Sequence, residues 1–128
     1  MNENPHYQRI GGEAVLRALV ERFYDLMDSL PEAEGIRQMH AKNLRVSRDK
    51  LFMFLSGWLG GPSLYIEKYG HPRLRQRHLP FAIDSAARDQ WMLCMRQAME
   101  DVGIAEDLRK ELEAAFFKTA DFMRNKED

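Results

Sequence analysis

Residues 70–81 have the sequence Gly70-His71-Pro72-Arg73-Leu74-Arg75-Gln76-Arg77-His78-Leu79-Pro80-Phe81. The two prolines that bracket the middle of this stretch leave room for only a turn or two of helix. Together with Gly60-Gly61-Pro62 upstream, it makes residues 60–84 a long segment with little regular structure. Such segments are uncommon in compact domains and are usually functional or disordered. Regularly placed apolar residues make disorder the weaker choice, so we interpret this stretch as a binding segment.

Four segments with helical periodicity surround it. Pro31 ends the first, Ser47 is a plausible N-cap for the second, and Asp84 or Ser85 precedes the third. No segment alternates with a period of two, so the sequence predicts an all-α domain. The predicted helices cover residues 13–30, about 47–59, 85–103 and roughly 105–125.

Length and composition indicate one globular domain over residues 1–128, with short tails at 1–6 and 126–128. Hydrophobic residues make up 45% of the chain and charged residues 30%, as in ordinary globular proteins. The net charge of −1 argues against a nucleic-acid partner. The uncharged run from Leu51 to Ile66 is too short, and too interrupted by glycine and proline, to cross a membrane.

The compartment is predicted from two further features. The N-terminus lacks the basic and apolar pattern of a signal peptide. Cys94 is the single cysteine, so no internal disulfide can form, as is typical of proteins from reducing compartments. We therefore expect a cytoplasmic protein.

Several motifs together resemble the truncated haemoglobins, specifically group II, the O-type branch. The resemblance runs in order from about residue 7 to residue 123. It implies a shortened, all-α globin, a two-over-two helical sandwich around haem b. In that fold the helix carrying the proximal histidine is reduced to a loop and a brief turn, which matches residues 60–84. The motifs are Gly11-Gly12, Phe23-Tyr24, Trp58-Leu59-Gly60-Gly61-Pro62, Tyr65, Gly70-His71-Pro72-Arg73-Leu74-Arg75, Arg77-His78, Pro80-Phe81, Trp91 and Cys94-Met95.

The resemblance implies that His78 is the proximal ligand of the haem iron. Imidazole is the usual axial donor in globins, and the other histidines are His6, in the tail, His40 and His71. By itself His78 would be interpreted as a surface histidine beside arginines. Its second ring nitrogen needs an orienting partner, and we expect a backbone carbonyl of the preceding loop, since no acidic residue lies in residues 69–83.

On the distal side the resemblance places Tyr24, His40, Ser47, Leu51 and Trp91 around a bound gas. A gas that gains partial negative charge is stabilised by donors such as the Tyr24 hydroxyl and the Trp91 indole. Without the resemblance both would be plain aromatic core. His40 is either a third donor, a ligand of the iron itself or an exposed loop residue. Ser47 leaves the space above the iron open, and Leu51 packs over the ring.

The haem propionates need cations or hydroxyl groups at the mouth of the pocket. The candidates, in falling order, are Lys50, Arg75, His71 and Tyr65. The alternating arginines at 73, 75 and 77 are alternatively a solvated face or a weak phosphate-binding patch. Phe81 is expected to pack in the core or against the haem.

The resemblance implies a haem protein that binds O2, CO or NO. The alternative is a haem enzyme that removes NO by dioxygenation or peroxide by a peroxidase-like reaction. His40 is then the only suitably placed group that titrates near neutral pH. The chain has no room for a reductase domain, so turnover needs an external electron donor. We expect a monomer or weak homodimer, and a helical interaction module without cofactor is the remaining alternative.

Overall fold

The computed structural model describes residues 5–128. A 3₁₀ turn at Pro31–Ala33 precedes the third helix, and the described residues contain no β-strand. None of the helices combines the length and apolar character that crossing a bilayer requires. The helices are α1 (His6–Ile10), α2 (Glu13–Ser29), α3 (Glu34–Gln38), α4 (Arg45–Trp58), α5 (Leu64–Tyr69), α6 (Leu74–His78), α7 (Ser85–Asp101) and α8 (Glu106–Phe122).

The four long helices form two pairs. Helix α2 packs on α4, α7 packs on α8, and the pairs meet where α2 lies against α7. Apolar residues at helical spacing face this junction, among them Leu16 and Phe23 of α2, Met95 of α7 and Leu112 of α8, which are fully buried. The predicted all-α, two-over-two sandwich is therefore confirmed.

The predicted starts of the long helices hold except for α4. Asp84 is the N-cap of α7, and its side chain accepts a hydrogen bond from the Ala87 amide at 2.9 Å. The N-cap role expected for Ser47 is wrong, because α4 begins two residues earlier. There the Asn43 side chain accepts from the Arg45 amide at 2.9 Å, so a different short polar residue shapes the turn into the helix.

The structure also differs from the sequence prediction at three shorter segments. Residues 60–84 hold two short helices, α5 and α6, rather than one irregular segment. The predicted N-terminal tail lies partly outside the described residues, at positions 1–4, and His6 already begins α1. Helix α8 ends at Phe122 instead of Asn125, because the chain turns at Met123 and runs back along the segment before α7.

Helix α1 is held against α8 by hydrogen bonds between side chains. The guanidinium of Arg9 makes two hydrogen bonds to the Glu111 carboxylate on α8, at 2.8 and 3.0 Å. The hydrogen bond from Arg9 lowers the pKa of Glu111 to about 2. These contacts fix α1 against α8. A helix of five residues is too short to show apolar periodicity, which is why the sequence analysis did not predict α1.

Helix α1 packs against the Gly60-Gly61 pair. The Tyr7 amide donates to the Leu59 carbonyl at 2.9 Å, and the Tyr7 ring lies flat enough on Gly61 that an added Cβ would stand 2.5 Å from its carbons. Gly60 has φ +96°, a conformation that favours glycine. The double glycine thus serves the packing of the chain's first helix.

The Gly61→Ala substitution is expected to destabilise the protein by about 1–3 kcal/mol, because the new methyl group displaces the Tyr7 ring. Chemical denaturation of the single variant measures the effect. In a Tyr7→Ala background the same substitution should cost much less. An equal cost in both backgrounds would show that the Tyr7 contact is not its origin.

Candidate functional site

A cavity of about 210 Å³ lies between the two helix pairs. Most of its walls are apolar. Five of the eleven site residues predicted from the sequence line it together: Tyr24, His40, Leu51, His78 and Trp91. Residues from α2, the segment after α3, α4, α6 and α7 are thus brought together by the fold alone.

His78 is the last residue of α6, and its ring orientation is fixed by a backbone carbonyl. Its Nδ1 lies 2.6 Å from the Leu74 carbonyl oxygen, one helical turn earlier. Because a carbonyl can only accept, Nδ1 carries the proton of the neutral ring and Nε2 keeps its lone pair. The partner is a backbone carbonyl, as expected from the sequence, but it belongs to α6 itself and not to the preceding loop.

His40 is held in the same manner on another wall of the cavity. Its Nδ1 lies 2.8 Å from the Ile36 carbonyl, so its neutral ring also leaves Nε2 with a lone pair. Burial lowers the pKa of His40, and the positive charge of Arg37 lowers it further. At neutral pH this Nε2 is therefore an acceptor or a metal ligand, and it donates a hydrogen bond only after protonation.

Tyr24 and Trp91 supply two donors to the cavity. Tyr24 is buried with its ring edge against His40, at a centroid distance of 5.8 Å, and burial raises the pKa of its hydroxyl, which stays protonated. Trp91 packs against Phe23 and Phe116 at centroid distances of 5.0 and 5.6 Å. Within residues 5–128, neither the Tyr24 hydroxyl nor the Trp91 indole has a hydrogen-bonding partner.

Arg48 fixes the helix that carries Tyr24, and the sequence analysis did not identify it. From α4 its guanidinium donates to Glu21 at 2.7 Å and to Asp25 at 2.9 Å, both on α2. It lies 5.9 Å from the centre of the Tyr24 ring. This bridge between two helices is a tertiary contact, and no local pattern indicates it.

The other six predicted site residues do not line the cavity, and three of them lie on α4 and α5. Lys50 stands with its ammonium group 5.1 Å from the centre of the Tyr69 ring. Tyr65 is buried, with its ring against those of Phe54 and Tyr69 at centroid distances of 6.4 and 4.9 Å. Ser47 lies half-buried in the first turn of α4.

The other three predicted site residues lie in α6 or next to it in the chain. His71 is exposed and accepts a hydrogen bond from the Arg73 amide at 3.1 Å. Arg75 donates to the carbonyl oxygens of Phe122 and Arg124, at 2.5 and 3.1 Å. Phe81 is 40% exposed, so it is not a core residue in this structure.

Helix α8 supplies lining residues that the sequence analysis did not assign to a site. Phe116 and Thr119 on α8, and Met123 directly after it, line the cavity. Their spacing of three and four residues is the spacing of any covered helix face. Phe122, at the end of the same helix, is 61% exposed. Periodicity shows that a face is covered, and it does not show whether a neighbour or a cavity covers it.

A second recess, of about 490 Å³, opens between α2, α4 and the segment before α4. Its walls are charged, and arginines there are already paired: Arg37 with Asp28 at 2.8 Å and Arg48 with Glu21. Charged walls whose groups satisfy one another offer little to an apolar ligand. The smaller, apolar cavity is the candidate site.

Residues 5–125 match the family model described as "Bacterial-like globin". A group 2 truncated hemoglobin, YjbI, from Bacillus subtilis is 39% identical over 122 residues, covering 95% of this chain and 89% of the relative. The chain belongs to the group II truncated haemoglobins. Membership of this family implies haem-based ligand binding.

Solved structures agree with the truncated-haemoglobin assignment. A group II 2-on-2 hemoglobin from Agrobacterium tumefaciens is 43% identical, with a TM-score of 0.93 and coverage of 100% of this chain and 98% of that one. A truncated oxygen-avid haemoglobin from Bacillus subtilis is 39% identical, with a TM-score of 0.87 and coverage of 95% and 100%.

The cavity of this truncated haemoglobin has the chemistry that haem requires. The described residues contain no cluster of three or more histidine, cysteine or acidic side chains that would hold a bare metal ion. Haem brings its own four nitrogens, so a single imidazole in an apolar cavity suffices. The Nε2 atoms of His78 and His40 meet that need, because a carbonyl partner leaves each with a free lone pair.

Proposed function

We propose that this protein holds haem b through His78 and binds O2, with CO and NO as further ligands. The observation that carries the proposal is the tautomer of His78: the 2.6 Å bond from Nδ1 to the Leu74 carbonyl presents a lone pair at Nε2, on a residue that lines an apolar cavity. Haem, when bound, would supply an iron that binds small gases.

The distal residues favour retention of a polar gas. Tyr24 and Trp91 are donors without partners in the described part of the chain, and both line the cavity. Retention of O2 suits sensing, scavenging or chemistry better than oxygen transport. The Bacillus subtilis relative is described as oxygen-avid, which agrees with this expectation. Of the other distal residues, Leu51 lines the cavity as an apolar wall, and Ser47 lies one turn before it on α4.

For the propionates we propose Lys50 first. Its ammonium group lies against the Tyr69 ring and forms no ion pair with an acidic side chain in residues 5–128, so it is available for a propionate. Arg75 is the next candidate, although two carbonyl oxygens already occupy its guanidinium. His71 and Tyr65 complete the set, and Phe81 is proposed to pack at the haem edge.

Absorption spectra test the proposal. Purified protein titrated with haemin should develop a Soret band that saturates at one haem per chain. The ferric, ferrous and CO spectra then report the coordination of the iron. A purely five-coordinate ferrous spectrum would exclude His40 as an internal ligand. Failure to develop any Soret band would disprove haem binding altogether.

A second candidate function is chemistry on peroxide, or on NO as a dioxygenase. The observation that favours it is the neutral His40, whose Nε2 can accept a proton near the reacting molecule at neutral pH. Neutral imidazole is the form that a general base requires. An external reductase would supply the electrons. Cys94 is a free, buried thiol, and a single cysteine without a disulfide is typical of reducing compartments, so we propose the cytoplasm.

If His40 is this base, His40→Gln should slow peroxide consumption by about a hundredfold, within the usual contribution of general acid–base catalysis. The haem-loaded variant is compared with wild type by stopped-flow absorption. His6→Gln, at a half-buried histidine on α1 that does not line the cavity, serves as the control and should match wild type. Equal rates in all three proteins would leave gas binding as the sole function.

A further inference from the structure

The C-terminal segment, residues 123–128, lies against the turn that follows His78. We call this segment the C-terminal strap. Backbone amides of Asn125 and Lys126 both donate to the Ile83 carbonyl, at 2.8 and 3.1 Å. At its end, Asp128 accepts from the Ser85 amide at 2.9 Å. The strap therefore runs along the segment that joins α6 to α7.

The side chain of Asn125 makes three hydrogen bonds to this turn. Its Nδ2 donates to the carbonyl oxygens of His78 and Phe81, at 3.2 and 2.9 Å, and its Oδ1 accepts from the Ile83 amide at 2.9 Å. Backbone carbonyls only accept and amides only donate, so these partners fix the orientation of the carboxamide. A carboxylate of the same shape would keep the acceptor and lose both donors.

Helix α6 has little else to hold it in place. It is a single turn of five residues, and none of them is fully buried. Arg75 connects α6 to the end of α8 through the Phe122 carbonyl and to the strap through the Arg124 carbonyl. In a short helix the backbone of the candidate ligand is therefore positioned by tertiary hydrogen bonds, and Asn125 is the side chain that bonds to it directly.

We infer that Asn125 is a positioning residue for His78: by bonding the His78 and Phe81 carbonyls it sets the place from which the imidazole reaches the iron. The inference rests on the proposed function, in which His78 binds haem. Outer-shell groups that orient a metal-binding histidine typically change metal affinity about 10- to 100-fold when they are removed.

The test compares Asn125→Asp with Asp128→Ala in haem-loaded protein. The first removes both donors to the His78 turn, and the second removes the strap's bond to Ser85 and leaves that turn intact. Asn125→Asp should speed the transfer of haemin to an excess of a scavenging apoglobin by about tenfold or more. It should also shift or broaden the iron–histidine stretching band in resonance Raman spectra of the ferrous protein. Asp128→Ala should leave both readouts close to wild type.

The His78→Gly variant, with exogenous imidazole as the iron ligand, distinguishes the positioning of His78 by Asn125 from a purely structural role of Asn125. An untethered imidazole no longer depends on the backbone of residue 78, so adding Asn125→Asp to that variant should leave the Raman band unchanged. If Asn125→Asp leaves both the band and the haem transfer rate of otherwise wild-type protein unchanged, the inference is wrong while haem binding through His78 stands. If wild type titrated with haemin develops no Soret band, the proposed function fails instead.

Discussion

His78→Ala is expected to abolish stable haem binding while the helical fold persists. His78 is half-buried, and the only hydrogen bond of its side chain within residues 5–128 is to the Leu74 carbonyl, so removing the imidazole costs the fold little. Losing an outer-shell partner alone reduces metal affinity about 10- to 100-fold, so losing the ligand should exceed about 100-fold. Titration with haemin, followed at the Soret band, measures the affinity. Far-ultraviolet circular dichroism verifies that the variant is folded.

His6→Ala is the matched control, since this histidine lies on α1 against Glu111 and away from the cavity. Its haem affinity should equal that of wild type. A His78→Ala protein that keeps the wild-type Soret band and affinity would transfer the ligand role to another group. His40 is then the first candidate, because its Nε2 is likewise unprotonated in the neutral ring.

Removing both distal donors should produce the next largest effect, a faster release of O2 by a factor on the order of one hundred. Tyr24→Phe and Trp91→Phe each keep an aromatic ring and lose one donor. Each hydrogen bond contributes roughly 0.5–1.5 kcal/mol, which is up to about tenfold per bond. O2 gains negative charge in such a site and is stabilised by donors, whereas CO gains little.

Stopped-flow measurement of O2 and CO release from the single and double variants tests this. The O2 rate should rise in each single variant and most in the double variant, and the CO rate should change much less. Tyr69→Phe removes a phenol outside the cavity and is expected to behave as wild type. Equal increases for both gases would indicate altered access to the cavity rather than lost hydrogen bonds.

The sequence determined the four long helices, and it places His78 in the segment before α7. Apolar spacing of three and four residues, Pro31 and the Asp84 cap are local signals, so α2 and the start of α7 could be predicted from residues close in the chain. The resemblance to truncated haemoglobins added the roles of His78, Tyr24 and Trp91. Local signals failed for α1 and α3, because five-residue helices are too short to show periodicity and are stabilised by distant contacts.

Only the tertiary structure decided which polar side chains line the cavity and which tautomer each histidine adopts there. The donor role first considered for His40 depended on its tautomer, and that is set by the Ile36 carbonyl and by burial. The partners of Arg48 lie 23 and 27 residues away, and those of Asn125 lie 42 to 47 residues away. Hydrogen bonds between residues so far apart in sequence follow from how the helices pack, which is why residue type and spacing located the ligand but not the groups that position it.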